Sequence, residues 1–160
     1  MPDTPVFLAD RLRVEGDKTI AFFTGLTPEQ WQVTVYTEGE KWTIRSVLAH
    51  YVTAEKGFVS IFGNIREGGS GVSEDFDIDR FNANQQKKTR ELLPEELLEQ
   101  FRIIRTEMVN LVNSFSDDDL TKQGRHPYLG ETTLGEMIKM VYRHNQIHFR
   151  DMRRVIVQQN

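Results

Sequence analysis

"PEELLEQFRIIRTEMVNLVNSF", residues 94–115, decides the fold class. Leu97, Phe101, Ile104, Met108, Leu111 and Phe115 recur at alternating steps of four and three, which lines one face of an α-helix. Pro94 suits the first helical position, where its missing N–H costs nothing, and Glu95 and Glu96 suit the positive end of the helix dipole. A helix with one apolar stripe must be covered, so the rest of the chain is read for its partners.

Three segments qualify. "TIRSVLAHYVTAEKGFVSIFGNIR", 43–66, carries a wide stripe of Ile44, Val47, Leu48, Tyr51, Val52, Phe58, Val59 and Phe62, with Thr43 as N-cap. Near the C-terminus Thr133 and Glu136 in "TTLGEM" read as a capping box, and the helix continues through Met137, Val141, Met152 and Val155. The first segment, about 5–25, shows Leu8, Leu12, Ile20 and Phe23 on one side, but "EGD" at 15–17 interrupts it. Gly25 ends it, and Thr27 caps a short turn in "TPEQW". "EGGSGVSEDFDID", 67–79, reads as a flexible connection, followed by a polar helical stretch at 79–92. The only alternating run, "WQVTVYT" at 31–37, stands isolated. These elements predict an all-α four-helix bundle forming one domain over 1–160. A long crossover between the second and third long helices lets those two run parallel.

With 160 residues, 38% hydrophobic and 28% charged, the chain can bury roughly two thirds of its unfolded surface around one core. It has no cysteine, so any thiol in its chemistry belongs to a cofactor or substrate. The N-terminal "MPDTPVFLADRLRVEGD" breaks its apolar residues with acids and arginines, unlike a signal peptide, and no apolar run approaches the ~20 residues of a membrane span. A cytoplasmic protein without membrane contact is expected. The net charge of -4 offers no general attraction to nucleic acid, and "KKTR" (87–90) and "RDMRR" (150–154) read as solvated faces.

Chemistry enters with "YRHNQIHFRDM", 142–152. His144 and His148 lie one turn apart, about 6 Å, on the face that also carries Met137, Val141, Met152 and Val155. On the helix over 43–66, His50 shares a face with Val47 and the small Ala54. Three of the four histidines can therefore meet inside the bundle. Two readings stay open: hydrogen-bonded core histidines, or three neutral imidazoles holding a metal with one or two positions free for water or substrate. A closed structural zinc site normally adds a fourth ligand, often a thiolate. Asn145 stands where the H-E-x-x-H peptidases have their glutamate, and no E-x-x-H pair of the di-iron type occurs.

The histidine in "WTIRSVLAHYVTAE", the loop "RHPYLGETTLGEM" and "HNQIHFRDM" together resemble the DinB/YfiT-like superfamily of small bacterial four-helix-bundle proteins, in order and spacing over nearly the whole chain. The resemblance implies that His50, His144 and His148 hold a divalent transition metal, usually nickel or zinc, in a homodimer. It also implies relatives that are thiol-dependent transferases and isomerases using mycothiol or bacillithiol, where the metal activates the thiol. The leading expectation is a metal-dependent transferase or hydrolase acting on a small molecule, with a low-molecular-weight thiol as cofactor in the first case. The alternatives are a non-catalytic bundle that sequesters metal or a small molecule, and a purely structural dimer.

Other residues carry weaker expectations. His126 in "GRHPYLG" is either a substrate contact at the pocket mouth or a turn histidine ahead of Pro127. Asn82 and Arg143 are further candidates near the pocket, Arg150 and Arg153 suit a solvated face, and Trp31 and Trp42 suit the bundle base. Glu55, five positions after His50, points away from it, so no general base is assigned.

Overall fold

The computed structural model describes residues 3–159. Four long helices, α1 (Pro5–Thr24), α3 (Ile44–Arg66), α5 (Pro94–Asn113) and α6 (Leu134–Gln158), supply the core. The short α2 (Pro28–Trp31) and α4 (Ile78–Lys88), a 3₁₀ turn at Asp118–Thr121 and two strand pairs connect them. The caps are where side-chain chemistry puts them. Thr27 and Thr43 each accept from the backbone N–H three residues on, within complete capping boxes. Thr133 accepts from Glu136 N–H at 3.2 Å, but the expected capping box is only half formed, because the Glu136 carboxylate turns to Lys139 at 2.7 Å.

α3 and α5 run side by side in the same direction. Arg45 Nε donates to the Leu92 carbonyl (3.0 Å), Lys56 Nζ to Gln100 (3.2 Å) and Arg66 Nη1 to Ser114 (2.9 Å), so residue number rises together along both. The core divides into two apolar clusters. One gathers Leu8, Leu12, Phe62, Met108, Met137 and Val141, and the other Phe23, Val47, Tyr51, Leu97, Phe101 and Met152. A buried polar group lies between them along the bundle. Arg105 donates through Nε and Nη2 to both oxygens of Glu55, each at 2.7 Å, and through Nη1 to the Leu12 carbonyl at 2.8 Å. Asn145 Nδ2 donates to Glu55 at 3.1 Å, and Tyr51 donates to the Asn145 carbonyl at 2.9 Å.

Several expectations change. α1 runs unbroken through "EGD" because Gly16 faces the core: a Cβ there would stand 2.8 Å from Arg105 Cγ. The fold is mainly rather than wholly helical. "WQVTVYT" is not isolated, since β1 (Thr34–Tyr36) pairs antiparallel with β2 (Trp42–Thr43). β3 (Gln123–His126) and β4 (Gly130–Thr133) form a hairpin that "QGRH" and "GETT" announce by no alternation of apolar residues. The connection at 67–79 is pinned to that hairpin. Arg125 N–H donates to the Ser70 carbonyl (2.8 Å) and Val72 N–H to the Arg125 carbonyl (3.1 Å). Gly71, at φ 85°, passes so close that a Cβ would collide with the Arg125 backbone.

Candidate metal centre

α3 and α6 bring His50, His144 and His148 together, with one nitrogen from each within 4.8 Å of the others. The register has a visible cause. Tyr51, next to His50, and Asn145, next to His144, are joined by the buried hydrogen bond between α3 and α6. Nε2 of His144 lies 3.0 Å from Nε2 of His148 and 3.5 Å from Nε2 of His50. Nitrogens about 2.0–2.1 Å from a tetrahedral ion lie about 3.3–3.4 Å apart, so the two observed separations bracket that value.

The protonation pattern favours free lone pairs. Burial, reinforced by the charges of His144 and His148, holds His50 well below the usual histidine range; burial and then the His144 charge, opposed by the Asp151 carboxylate, hold His148 at about 4. Burial also lowers His144, with the Glu55 carboxylate acting the other way. All three are neutral at pH 7. His148 has its tautomer fixed from behind: Tyr36 donates its hydroxyl hydrogen to Asp151 (2.6 Å), so Nδ1–H of His148 donates to the Tyr36 oxygen at 2.8 Å. That leaves the Nε2 lone pair of His148 facing the other imidazoles. Such backing from a carboxylate orients a metal-bound histidine and raises its basicity. Burial, then the Asp151 carboxylate, pushes the Tyr36 hydroxyl far above its ordinary range, so it remains a donor.

Tyr36 and Asp151 escaped the sequence reading. Asp151 lies three residues past His148, on the same helical side, and that spacing was the available signal. Tyr36 gave none, because only the pairing of β1 with β2 brings it over α6. Trp42, expected at the bundle base, has its ring 5.1 Å from the His50 ring, whereas Trp31 does pack the base by stacking on Phe23.

Two recesses meet at the histidines. A cavity of about 190 Å³ is bounded by His50, His144, Phe58, Phe76, Phe81 and Tyr128. An open cleft of about 490 Å³ is bounded by His148, Tyr36, Trp42, Glu38, Glu40 and Asp79. Asn82 on α4 borders both, in keeping with its place as a candidate near the pocket. Arg143 does not reach either recess and faces Glu136 at 3.6 Å. Arg150 is exposed, and Arg153 covers the Phe149 ring. Glu55 points away from the histidines into the ion pair with Arg105.

His126 takes the turn role. Its Nδ1 accepts from the backbone N–H of Tyr128 (3.0 Å) and Leu129 (3.1 Å), closing the β3–β4 turn. Its ring stacks on Phe58, and burial lowers it to about 4. The proton is therefore on Nε2, which finds no partner among the described residues.

Residues 11–152 match the family model of the DinB superfamily. The chain is also similar to YfiT from Bacillus subtilis, described as a probable metal-dependent hydrolase with an unusual four-helix bundle topology. The identity is 14%, the TM-score 0.74, and the match covers 97% of this chain and 85% of that one. A mycothiol-dependent maleylpyruvate isomerase is similar at 15% identity and TM-score 0.73, over 92% of this chain and 59% of that one. The colibactin self-resistance protein ClbS, in complex with double-stranded DNA, is similar at 15% identity and TM-score 0.74, over 99% and 97%. Identities this low speak for the fold alone. No curated protein matches the sequence.

Proposed function

The chain belongs to the DinB superfamily, and from that premise we propose that it is a divalent-metal-dependent enzyme in which His50, His144 and His148 hold the ion. The observation that carries the reading is the convergence of three neutral imidazoles, with Nε2 separations of 3.0 and 3.5 Å, at the junction of a cavity and an open cleft. Hydrogen bonds can join these Nε2 atoms only in pairs, at 3.0 and 3.5 Å, whereas a single ion accepts a lone pair from all three at once. A bound divalent ion supplies Lewis acidity, which lowers the pKa of water or of a thiol.

The chain's own residues have separable tasks. Asp151, through Tyr36, fixes His148 with Nδ1 protonated and Nε2 free. The Tyr51 hydrogen bond and the Asn145–Glu55–Arg105 group hold α6 at the register that faces His144 toward His50. The cleft leaves the His148 side open for a reactant, either a low-molecular-weight thiol for S-transfer or a water for hydrolysis. Both routes act on a small molecule in the adjoining cavity. The full reading takes 1–160 as one bundle domain with a long crossover, working in the cytoplasm as a homodimer with nickel or zinc. The family likeness supports the metal and the homodimer, and no helix among the described residues is long and apolar enough to cross a membrane. The reading gives nucleic acid no part; the chain's net charge of -4 and its cleft carboxylates support that, although ClbS was seen with DNA.

Elemental analysis of the purified, untagged chain tests the proposal, beside a His144→Ala/His148→Ala variant. About one metal per chain retained through dialysis and lost in the variant is the expected result. No metal uptake after adding nickel or zinc overturns it. Retained metal with no turnover of electrophiles with thiols, or of hydrolysable substrates, would favour a sequestering bundle instead.

A further inference from the structure

α3 carries a glycine in its interior at 57, where alanine would favour the helix by about 1 kcal/mol. Packing does not require it. At Gly16 an added Cβ would press on Arg105, but at Gly57 it would meet nothing within 4 Å. What lies beyond Gly57 is the 190 Å³ cavity. Apart from Asn82, its other walls are apolar and largely aromatic: Phe58 from α3, Phe76 and Phe81 around the start of α4, and Tyr128 from the β3–β4 turn. Phe76 and Phe81 pack on each other at 5.5 Å between ring centres, while Tyr128 sits 5.9 Å from the His144 ring. An apolar cavity of about 150 Å³ holds benzene, so this space takes one aromatic ring with a short substituent. His50 and His144 form part of its wall.

The second recess differs in charge. Glu38, Glu40 and Asp79 border the cleft on the His148 side, and no lysine or arginine is among its lining residues. Anything lying across the three histidines has one end among aromatic rings and the other beside three carboxylates. We propose that the substrate is a small molecule with an apolar, ring-sized body and a cationic or uncharged polar end, and that anionic substrates are disfavoured. The ring enters the cavity past Gly57, and the polar end stays in the cleft beside Glu38, Glu40 and Asp79. This inference rests on the proposed metal site for the position of the reacting bond, and on the two recesses alone for the choice of ligand.

Isothermal titration of the full chain with 2-phenylethylamine, phenylacetate and ethylamine tests it, in metal-free protein first and then in protein loaded with zinc. The metal-free series separates the recesses from direct coordination. We expect 2-phenylethylamine to bind at least tenfold more tightly than either phenylacetate, which reverses the charge, or ethylamine, which lacks the ring. Gly57→Leu places an isobutyl group in the cavity while improving helix propensity. It is expected to weaken 2-phenylethylamine binding at least tenfold, with melting temperature and metal uptake unchanged or raised. Glu38→Gln/Glu40→Gln/Asp79→Asn is expected to reduce the preference for the amine over phenylacetate to under threefold. Phenylacetate binding as well as the amine to metal-free protein overturns the inference, and so does unaltered binding in Gly57→Leu. Failure of zinc to bind would instead strike the metal reading and leave these results standing.

Discussion

Replacing Glu55 by glutamine removes one negative charge and almost no volume from the centre of the bundle. Glu55 and Arg105 have side chains only 2% and 4% exposed and are joined by two hydrogen bonds of 2.7 Å. The glutamine carbonyl can accept from one guanidinium nitrogen, but its NH₂ then faces the other donor, and the Arg105 charge stays buried beside Phe101 and the Leu12 carbonyl. Stranding one partner of a buried pair costs about 3–5 kcal/mol. For a chain of this size each kcal/mol moves the melting temperature by about 2–4 °C, so Glu55→Gln should melt about 6–20 °C lower. Urea unfolding of metal-free protein, followed by far-ultraviolet circular dichroism, gives the free energy without a contribution from bound ion. A Glu55→Leu/Arg105→Met variant should recover only part of the loss, because apolar replacements of a buried pair are often neutral but this one leaves Asn145 Nδ2 without its acceptor. A single-variant cost below about 1 kcal/mol would refute the reasoning, since it would mean that water already reaches the guanidinium. The consequence reaches the candidate site, because Asn145 donates to the same carboxylate and adjoins His144.

Tyr36→Phe removes the hydroxyl that links Asp151 to His148, and should lower metal affinity about 10–100-fold in a competitive chelator titration; unchanged affinity would show that His148 needs no backing. Stability of the metal-free chain should fall as pH drops from about 6.5 to about 4, because the unfolded histidines bind protons that His126 and His148, held at about 4, refuse. The slope should be at most about 1.4 kcal/mol per pH unit for each group, read from urea midpoints at several pH values, and a flat profile would contradict the assigned burial. Gly16→Ala should destabilise by about 1–3 kcal/mol despite its better helix propensity, because the new Cβ would press on an Arg105 held by hydrogen bonds on both sides; equal or higher stability would show that Arg105 can yield.

How much of this was legible in the sequence depends on how local the cause is. The four long helices were readable because an apolar stripe and its caps act within a few residues: Leu97 to Met108 repeat at helical spacing, and Thr43 and Thr133 cap through the N–H three positions on. The pairing of His144 with His148 was readable for the same reason, since one helical turn sets it. The addition of His50 was an inference from face and small neighbours, and the tertiary structure brings its Nε2 to 3.5 Å from His144. Everything decided across the bundle stayed out of reach. Gly16 looked like a helix breaker until Arg105 was seen behind it, and Glu55 looked idle until that same arginine met it fifty residues away in sequence. Tyr36 reaches Asp151 across 115 positions, by way of a two-residue pairing with β2 that no periodicity announces. The sequence by itself determined the helices and which faces they turn inward, because those follow from spacing along one chain. Only the tertiary structure decided what those faces meet: the histidines' separations, the group that backs His148, and the aromatic cavity beside an acidic cleft. These depend on how helices distant in sequence are set against each other, and that setting comes from the packing of the two apolar clusters together with the buried hydrogen bonds between helices.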